Sequence, residues 1–175
     1  MTAFDAAIIG AGPAGMAAAA TLAGLGLSVA VLDEQAAPGG QIYRDVDRVA
    51  PARGALLGAD YAHGRSLTAD LAHPGIQHLS GAVVWAIEEG FVVSYTGEGG
   101  ARQLSARRVV LATGALERAM PLPGWTLPGV MTAGAGQILL KQSGLLAQEA
   151  VLVGSGPLLY LIGAQMVRAG TPPLA

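Results

Sequence analysis

Apolar residues near the start of the chain fall into two short runs with a long segment of small residues between them. The run over residues 4–9 predicts a strand, and the alanine-rich residues 17–25 predict a helix that ends at Gly26. A second apolar run, residues 29–32, predicts another strand. Strand, helix and strand in this order are typical of a βαβ unit with two parallel strands. The pattern therefore predicts an α/β fold.

Farther along the chain, shorter apolar runs alternate with glycine turns. Strands are predicted over residues 76–79, 82–88, 91–96 and 103–111, with turns at Gly90 and at residues 97–100. These runs predict a small antiparallel meander that leads into a last buried strand at residues 109–112.

The remaining segments are predicted from helix-breaking residues and helical patterns. Residues 45–54 are expected to be irregular because they contain Pro51 and Gly54, and a helix is expected over about residues 55–72. Residues 120–130 are rich in proline and glycine and predict a connector. A helix over about residues 132–143 and a strand over residues 150–153 are expected to follow.

Composition narrows the class of protein. The chain has 175 residues, of which 52% are hydrophobic and 13% charged, a balance that suits a buried parallel sheet. The net charge of −2 leaves no basic patch and argues against nucleic acid as a partner. Residues 6–32 are uncharged, but Asp5 precedes them and Pro13 interrupts them, so neither a signal peptide nor a membrane span is expected. The absence of cysteine is compatible with a reducing cytoplasm, where we expect the protein.

The junction between the first predicted strand and helix carries a glycine motif. Its residues are Gly10, Ala11, Gly12, Pro13, Ala14 and Gly15. Gly10 permits a tight turn, Gly12 permits the backbone to approach a pyrophosphate, and Gly15 permits close helix packing. Amides at the helix start then face the anion. Asp33, 18 residues after Gly15, or its neighbour Glu34 supplies a carboxylate for a ribose hydroxyl, and this spacing favours Asp33.

A partial copy of this motif occurs 144 positions later. Gly154, Gly156 and Pro157 repeat Gly10, Gly12 and Pro13. Leu159 stands where the first motif has Gly15, and a leucine there obstructs close approach of the helix. The position that corresponds to Asp33 falls after Ala175. The second copy therefore predicts a degenerate nucleotide-binding unit.

Several motifs together resemble those of the flavoproteins with two dinucleotide-binding domains. They are the two glycine motifs, the Gly39-Gly40-Gln41 turn, the predicted meander and the strand end Ala112-Thr113-Gly114. Residues 38–44, 112–118 and 123–134 look most like the larger subunit of opine oxidases, hydrogen cyanide synthase and related amino-acid dehydrogenases. The resemblance implies a Rossmann-like, three-layer FAD-binding fold with a parallel sheet and an antiparallel β-meander, plus the truncated start of a second nucleotide-binding unit.

The resemblance also implies which residues hold FAD. Gly10 to Gly15 would hold the pyrophosphate, and Asp33 or Glu34 the adenosine ribose. Gly40 and Gln41 would approach the pyrophosphate or the flavin, Val83 and Val84 would touch adenine, and Ala112, Thr113 and Gly114 would close over the cofactor. A plain turn, core packing and a strand terminator remain the respective alternatives for these three sets. NAD(P) remains an open alternative at the second motif.

The resemblance divides the chain into three segments. Residues 1–118 would form an FAD-binding domain without its C-terminal return strand, residues 119–149 a connector and helix, and residues 150–175 the start of a truncated NAD(P)-type domain. We therefore expect an open sheet with an unfilled strand position and exposed apolar surface, which favours an oligomer.

Three functions follow from these observations. The first is an FAD-dependent oxidoreductase, or its electron-transfer component, that acts on amines, amino acids or opines together with a partner oxidase subunit. The second is an NAD(P)H-dependent flavin reductase for a ferredoxin-like acceptor, against which Leu159 counts. The third is a non-catalytic nucleotide-binding fragment or structural subunit. Thiol–disulfide exchange is excluded within these residues because it requires a thiolate.

Other candidate groups carry less chemistry. The spacings of His63, His73 and His78 match no metal pattern, so no metal is expected. Arg44 follows the glycine turn and either pairs with a phosphate or is a solvated surface arginine; both interpretations stay open. No catalytic residue is assigned.

Overall fold

Strands and helices alternate along the first half of the chain in the computed structural model, which describes residues 2–175. The strands are β1 Thr2–Phe4, β2 Ala6–Ile9, β3 Val29–Asp33, β4 Ile76–Ser80, β5 Val83–Glu88, β6 Val92–Gly97, β7 Gly100–Ala106 and β8 Val109–Leu111. The helices are α1 Pro13–Gly24, α2 Val46–Leu57, α3 Ala59–Asp70, α4 Ala133–Ser143 and α5 Pro157–Arg168.

The strands form two four-stranded sheets. One has the order β4-β3-β2-β8 and is entirely parallel, with Ile8 of β2 opposite Val31 of β3 and Val110 of β8. The other has the order β1-β7-β6-β5, in which β5, β6 and β7 form an antiparallel meander and β1 pairs parallel to β7. The predicted parallel sheet and meander are thus confirmed.

Strand β3 is the centre of three packed layers because its side chains alternate between two apolar faces. Ala30 and Leu32 belong to a buried cluster with Val93 and Leu104 of the meander. Val29 and Val31 belong to a second cluster, on the side of α1. All five residues of β3 are buried, and this continuous burial explains its unbroken apolar sequence. Helix, parallel sheet and meander form the three layers of a Rossmann-like fold.

The chain divides into two compact units. The first consists of the residues up to Asp47 together with Asp60–Gly114, and the second of Arg48–Ala59 together with Ala115–Ala175. In the second unit, Leu140 of α4 and Ile162 and Met166 of α5 are buried, and α4 begins where the Thr132 side chain accepts a hydrogen bond from Ala135 N at 3.3 Å. The predicted helix over residues 132–143 is confirmed.

Two predicted strands are each divided between the two sheets. Residues 4–9 separate into β1 and β2 at Asp5, whose carboxylate accepts hydrogen bonds from Ser28 N at 2.9 Å and Ser28 Oγ at 2.7 Å. Residues 103–111 separate into β7 and β8. The meander prediction is also wrong at one strand, because β4 joins the parallel sheet beside β3. Strand length and apolar content are similar in both sheets, so the sequence pattern did not distinguish them.

Residues 45–54 are helical, which corrects the expectation of irregular structure. Helix α2 spans Val46–Leu57 with Pro51 inside it, and Val46, Val49 and Leu57 are buried. Burial of this apolar face outweighs the hydrogen bond that the proline lacks. The single helix expected over residues 55–72 is divided, because Gly58, with a φ of 101°, separates α2 from α3.

The other two differences concern strand ends. The last strand was expected to be buried, but β8 is an edge strand of its sheet and Leu111 is 67% exposed. No strand forms at residues 150–153. There, Leu152 N donates to Ala175 O at 2.7 Å and Leu174 N donates to Ala150 O at 2.8 Å, which is short of a ladder.

Candidate functional site

The loop between β2 and α1 packs so tightly that two of its positions accept only glycine. Gly10 has a φ of 106°, and a Cβ on it would lie 2.9 Å from the carbonyl carbon of Ala112. A Cβ on Gly15 would overlap the carbonyl oxygen of Gly10. Backbone hydrogen bonds hold this arrangement, from Gly10 N to Leu32 O at 2.7 Å and from Ala112 N to Ile9 O at 2.8 Å. The first glycine motif is therefore a fixed cradle.

Helix α1 begins inside this cradle without a side-chain cap. Gly12 is its N-cap residue, with φ −74° and ψ 179°, Pro13 occupies the first turn, and the first turn contains no acidic residue. Met16 N donates to Gly12 O at 2.9 Å, so the amides of Ala14 and Gly15 precede the intrahelical ladder. Uncapped amides at a helix start attract an anion.

The turn at Gly39 and Gly40 lies against the first motif. Gly39 N donates to Ala11 O at 2.8 Å, and a Cβ on Gly40 would lie 2.9 Å from the Cα of Gly12. Gln41, the next predicted site residue, is exposed. Two backbone segments that are distant in sequence thus meet where the sequence predicts a pyrophosphate.

The two adjacent acidic residues differ in environment. Asp33 is 8% exposed, and its Oδ2 accepts from Ala11 N at 2.5 Å while its Oδ1 accepts from Gln35 N at 2.7 Å. Glu34 is exposed, and its Oε1 accepts from Gln35 Nε2 at 3.2 Å. A carboxylate has about four acceptor positions, so Asp33 shapes the first motif and keeps two positions for a ligand.

The start of β5 is held beside these acids. Ala82 N donates to Asp33 O at 2.8 Å, and Gly81 N donates to Gln35 O at 3.1 Å. Val83 is 48% exposed, whereas Val84 is half-buried and packs against the meander core. Of the two predicted adenine contacts, Val83 presents more surface.

Two of the three residues after β8 also reach the cradle. The Cβ of Ala112 and the Cα of Thr113 would each lie 3.4 Å from a Cβ, on Gly15 and on Gly10 respectively. Gly114 follows with a φ of 72° and is exposed. The structure therefore brings together the predicted residues of four segments, all in the first compact unit.

Gln35 connects the parts of this region, although no sequence motif assigned it a role. Its backbone N–H donates to Asp33 and its carbonyl accepts from Gly81. Its side-chain amide donates to Glu34, and its Oε1 accepts from Arg44 Nη1 at 2.5 Å. Its position directly after two acids was the only signal, and that signal does not specify a side-chain partner.

His78 lies near this region without being part of a metal site. Its Nε2 is buried and has no hydrogen-bond partner among residues 2–175. Burial lowers the pKa of His78, and the charge of Asp33 acts in the opposite direction. Within the same residues, no group of three or more His, Asp or Glu side chains is arranged to hold a metal ion.

The second glycine motif lacks these surroundings. Helix α5 begins at Gly156, with φ −80° and ψ 154°, followed by Pro157, as α1 begins at Gly12. A Cβ on Gly156 would meet no atom within 4 Å, and the nearest atom to a Cβ on Gly154 would be Leu159 Cδ2 at 3.6 Å. The motif therefore sets a helix start there without forming a packed cradle.

The helices were also compared with the thickness of a bilayer. None of those within residues 2–175 combines the length and the apolar character that a membrane crossing requires.

Comparisons with known proteins agree over most of the chain. A family model described as pyridine nucleotide-disulphide oxidoreductase matches residues 4–165. An opine oxidase polypeptide of Agrobacterium tumefaciens (strain Ach5), named as one of that enzyme's subunits, is 51% identical over 98% of this chain. The HcnB subunit of hydrogen cyanide synthase from Pseudomonas aeruginosa is 38% identical over 93% of this chain. The chain spans 36% of the length of each of these two relatives.

The fold is also similar to that of a solved structure. L-proline dehydrogenase from P. horikoshii superposes with a TM-score of 0.80 at 23% identity, over 98% of this chain and 35% of that one. At this identity the likeness concerns the fold alone.

Proposed function

The chain belongs to the pyridine nucleotide-disulphide oxidoreductase family, and from this premise we propose that its first compact unit binds FAD as part of a flavin-dependent oxidoreductase. The observation that carries the proposal is the cradle at Gly10–Gly15, where neighbouring backbone leaves no room for a side chain. A pyrophosphate needs close approach to backbone amides, which such a cradle permits.

The contacts support a role for each predicted segment. The amides of Ala14 and Gly15 would bind the pyrophosphate, with Gly12, Gly40 and Gln41 beside it. Val83 and Val84 would contact adenine from the start of β5. Ala112, Thr113 and Gly114 would cover the cofactor from the end of β8. The tight packing of Ala112 against Gly10 supports this last assignment.

The two acids would divide the work at the ribose. Asp33 is buried and already accepts from Ala11 N, so it would hold the first motif in shape and offer its remaining acceptor positions to a ribose hydroxyl. Glu34 is exposed and held only by the amide of Gln35, so it would accept the other hydroxyl. The spacing-based preference for Asp33 thus becomes a proposal that both residues contribute.

Bound FAD would supply the electron sink for oxidation of an amine, amino acid or opine. The names of the relatives support this substrate class, since one belongs to an opine oxidase and the other to a hydrogen cyanide synthase. Both relatives are named as subunits, which supports a partner polypeptide for this chain. The protein's own residues would bind and orient the cofactor, and no catalytic residue is assigned to them.

The segment boundaries are part of the proposal. We assign residues 1–118 to the FAD-binding domain, residues 119–149 to a connector and helix, and residues 150–175 to the start of an NAD(P)-type unit. The absence of close neighbours around Gly156 gives the second motif no support as a dinucleotide site.

Titration of the purified chain with FAD, followed by flavin fluorescence, tests the proposal. We expect saturable binding that Gly10→Val abolishes, because a valine there combines a clash with a φ that β-branched residues avoid. Gly156→Ala, in the second motif, is the matched control and should bind FAD as the unaltered chain does. A chain that binds no FAD, or that binds it equally well with Gly10→Val, contradicts the proposal.

A further inference from the structure

Arg44 is held in a defined position at the end of the glycine turn. Tyr43 N donates to Gly39 O at 3.0 Å, which closes the turn that begins at Gly39 and Gly40. Tyr61 Oη donates to Arg44 O at 2.6 Å and fixes the Arg44 backbone against α3. Arg44 therefore follows directly from the turn that touches Gly12.

The Arg44 side chain is oriented by a neutral group. Its Nη1 donates to Gln35 Oε1 at 2.5 Å. Its Nε is buried and has no partner within residues 2–175, and over the same residues no carboxylate forms an ion pair with its guanidinium. By contrast, the exposed Arg65 has a carboxylate partner, Asp47, at 3.9 Å.

A half-buried guanidinium without a carboxylate partner is unusual because partial burial removes water from a charge that nothing neutralises. Guanidinium groups satisfy this need best with a carboxylate or phosphate, whose paired oxygens match the planar donors. The nearest ligand of that kind in the proposed function is the diphosphate at the first motif. This step rests on the proposed function.

We propose that Arg44 binds the diphosphate group of the ligand, with Gln35 as the residue that positions it. The helix start at Gly12 then supplies backbone amides from one side, and Arg44 supplies a cation from the side of the Gly39–Gly40 turn. Gln35 also contacts Glu34, so the diphosphate and ribose contacts are joined through one amide side chain.

The test compares three ligands with two arginine variants. FAD and ADP each contain a diphosphate and adenosine does not, so a diphosphate contact affects the first two only. With Arg44→Gln we expect about tenfold to hundredfold weaker binding of FAD and ADP, the range for a lost charge-assisted hydrogen bond. Adenosine affinity should stay the same. Arg65→Gln removes one exposed positive charge elsewhere in the same unit and should change affinity less than about twofold.

Two further measurements separate a ligand contact from a structural role. The salt dependence of ADP affinity should become shallower with Arg44→Gln, because one cation fewer meets the diphosphate. Arg44→Lys should recover part of the affinity, since it keeps the charge and loses the planar donors.

Each outcome bears on the proposal. Unchanged FAD and ADP affinity with Arg44→Gln overturns it, and so does an equal loss of adenosine affinity, which places Arg44 at the ribose or in folding. An unaltered chain that binds ADP but not FAD contradicts the FAD assignment while leaving the Arg44 comparison intact. An unaltered chain that binds neither ligand overturns both.

Discussion

The two glycine motifs share a local sequence but differ in what surrounds them. Each has glycine at its N-cap and proline in the first turn, and both helices begin in extended backbone without a side-chain cap. Around the first motif, the carbonyl of Ala112 and the carboxylate of Asp33 contact the loop. Around Gly156, a Cβ would meet no atom within 4 Å. The local sequence sets the helix start, and the neighbours make a binding cradle.

The largest effect is expected from making the first motif like the second. Gly15→Leu introduces the residue that stands at 159, and its Cβ would overlap the Gly10 carbonyl oxygen. We expect FAD binding to be lost and the free energy of unfolding to fall by about 2 kcal/mol or more. FAD titration and urea unfolding measure the two effects. Leu159→Gly is the reciprocal control and should leave FAD affinity unchanged; a gain of a second FAD site in that variant would break the comparison.

The two acids give the next largest effect. Asp33→Asn places an amide where two backbone N–H groups now donate to a carboxylate, so one donor is left without an acceptor. We expect a loss of about 1–3 kcal/mol in the free energy of unfolding, together with weaker FAD binding. Glu34→Gln should weaken FAD binding while changing stability by less than about 0.5 kcal/mol, because the side chain is exposed. Equal stability of the two variants contradicts the division of roles.

The pH dependence of stability sharpens the comparison further, since His78 lies close enough to Asp33 to feel its charge. Burial lowers the pKa of His78 in the folded state below 6.5, so the unfolded state binds the proton first as pH falls. Stability is therefore complete above about pH 6.5 and declines below it. His78→Gln should reduce this decline, by less than about 1 kcal/mol because the ring is only half-buried. Chemical unfolding at several pH values measures it, and an unchanged pH profile in the variant contradicts the assignment.

The smallest effect is expected at the second motif. Gly156→Ala adds a methyl group to open space at a position with ordinary φ. We expect less than about 0.5 kcal/mol change in stability and no change in FAD affinity. A large loss in either quantity means that the second motif has close neighbours that the structure does not place there.

The sequence was sufficient for the local features of the fold. The βαβ start followed from apolar periodicity and Gly26, and the meander followed from short alternating runs. Assignment of β4 to the parallel sheet did not follow, because a five-residue apolar strand fits either sheet equally well. Helix α2 was missed because tertiary burial of Val46 and Val49 outweighed the breaker Pro51.

The candidate site was partly predictable for a related reason. Gly10, Gly12 and Gly15 were identified from spacing alone, since a helix start and a tight turn are local properties. Their contacts with Ala112 and Gly40 are long-range, and only the resemblance to a family had placed those segments together. Gln35 was not found at all, because its role depends on four hydrogen bonds that no spacing rule encodes.

The number of FAD molecules bound per chain tests the central claim most directly. Equilibrium dialysis with FAD, with flavin released on denaturation and counted by absorbance, gives this number for the unaltered chain and for Gly15→Leu. One FAD per chain, lost in Gly15→Leu and retained in Gly156→Ala, is the predicted result. No FAD in the unaltered chain, two per chain, or one that persists in Gly15→Leu contradicts the claim that the first motif is the cofactor site.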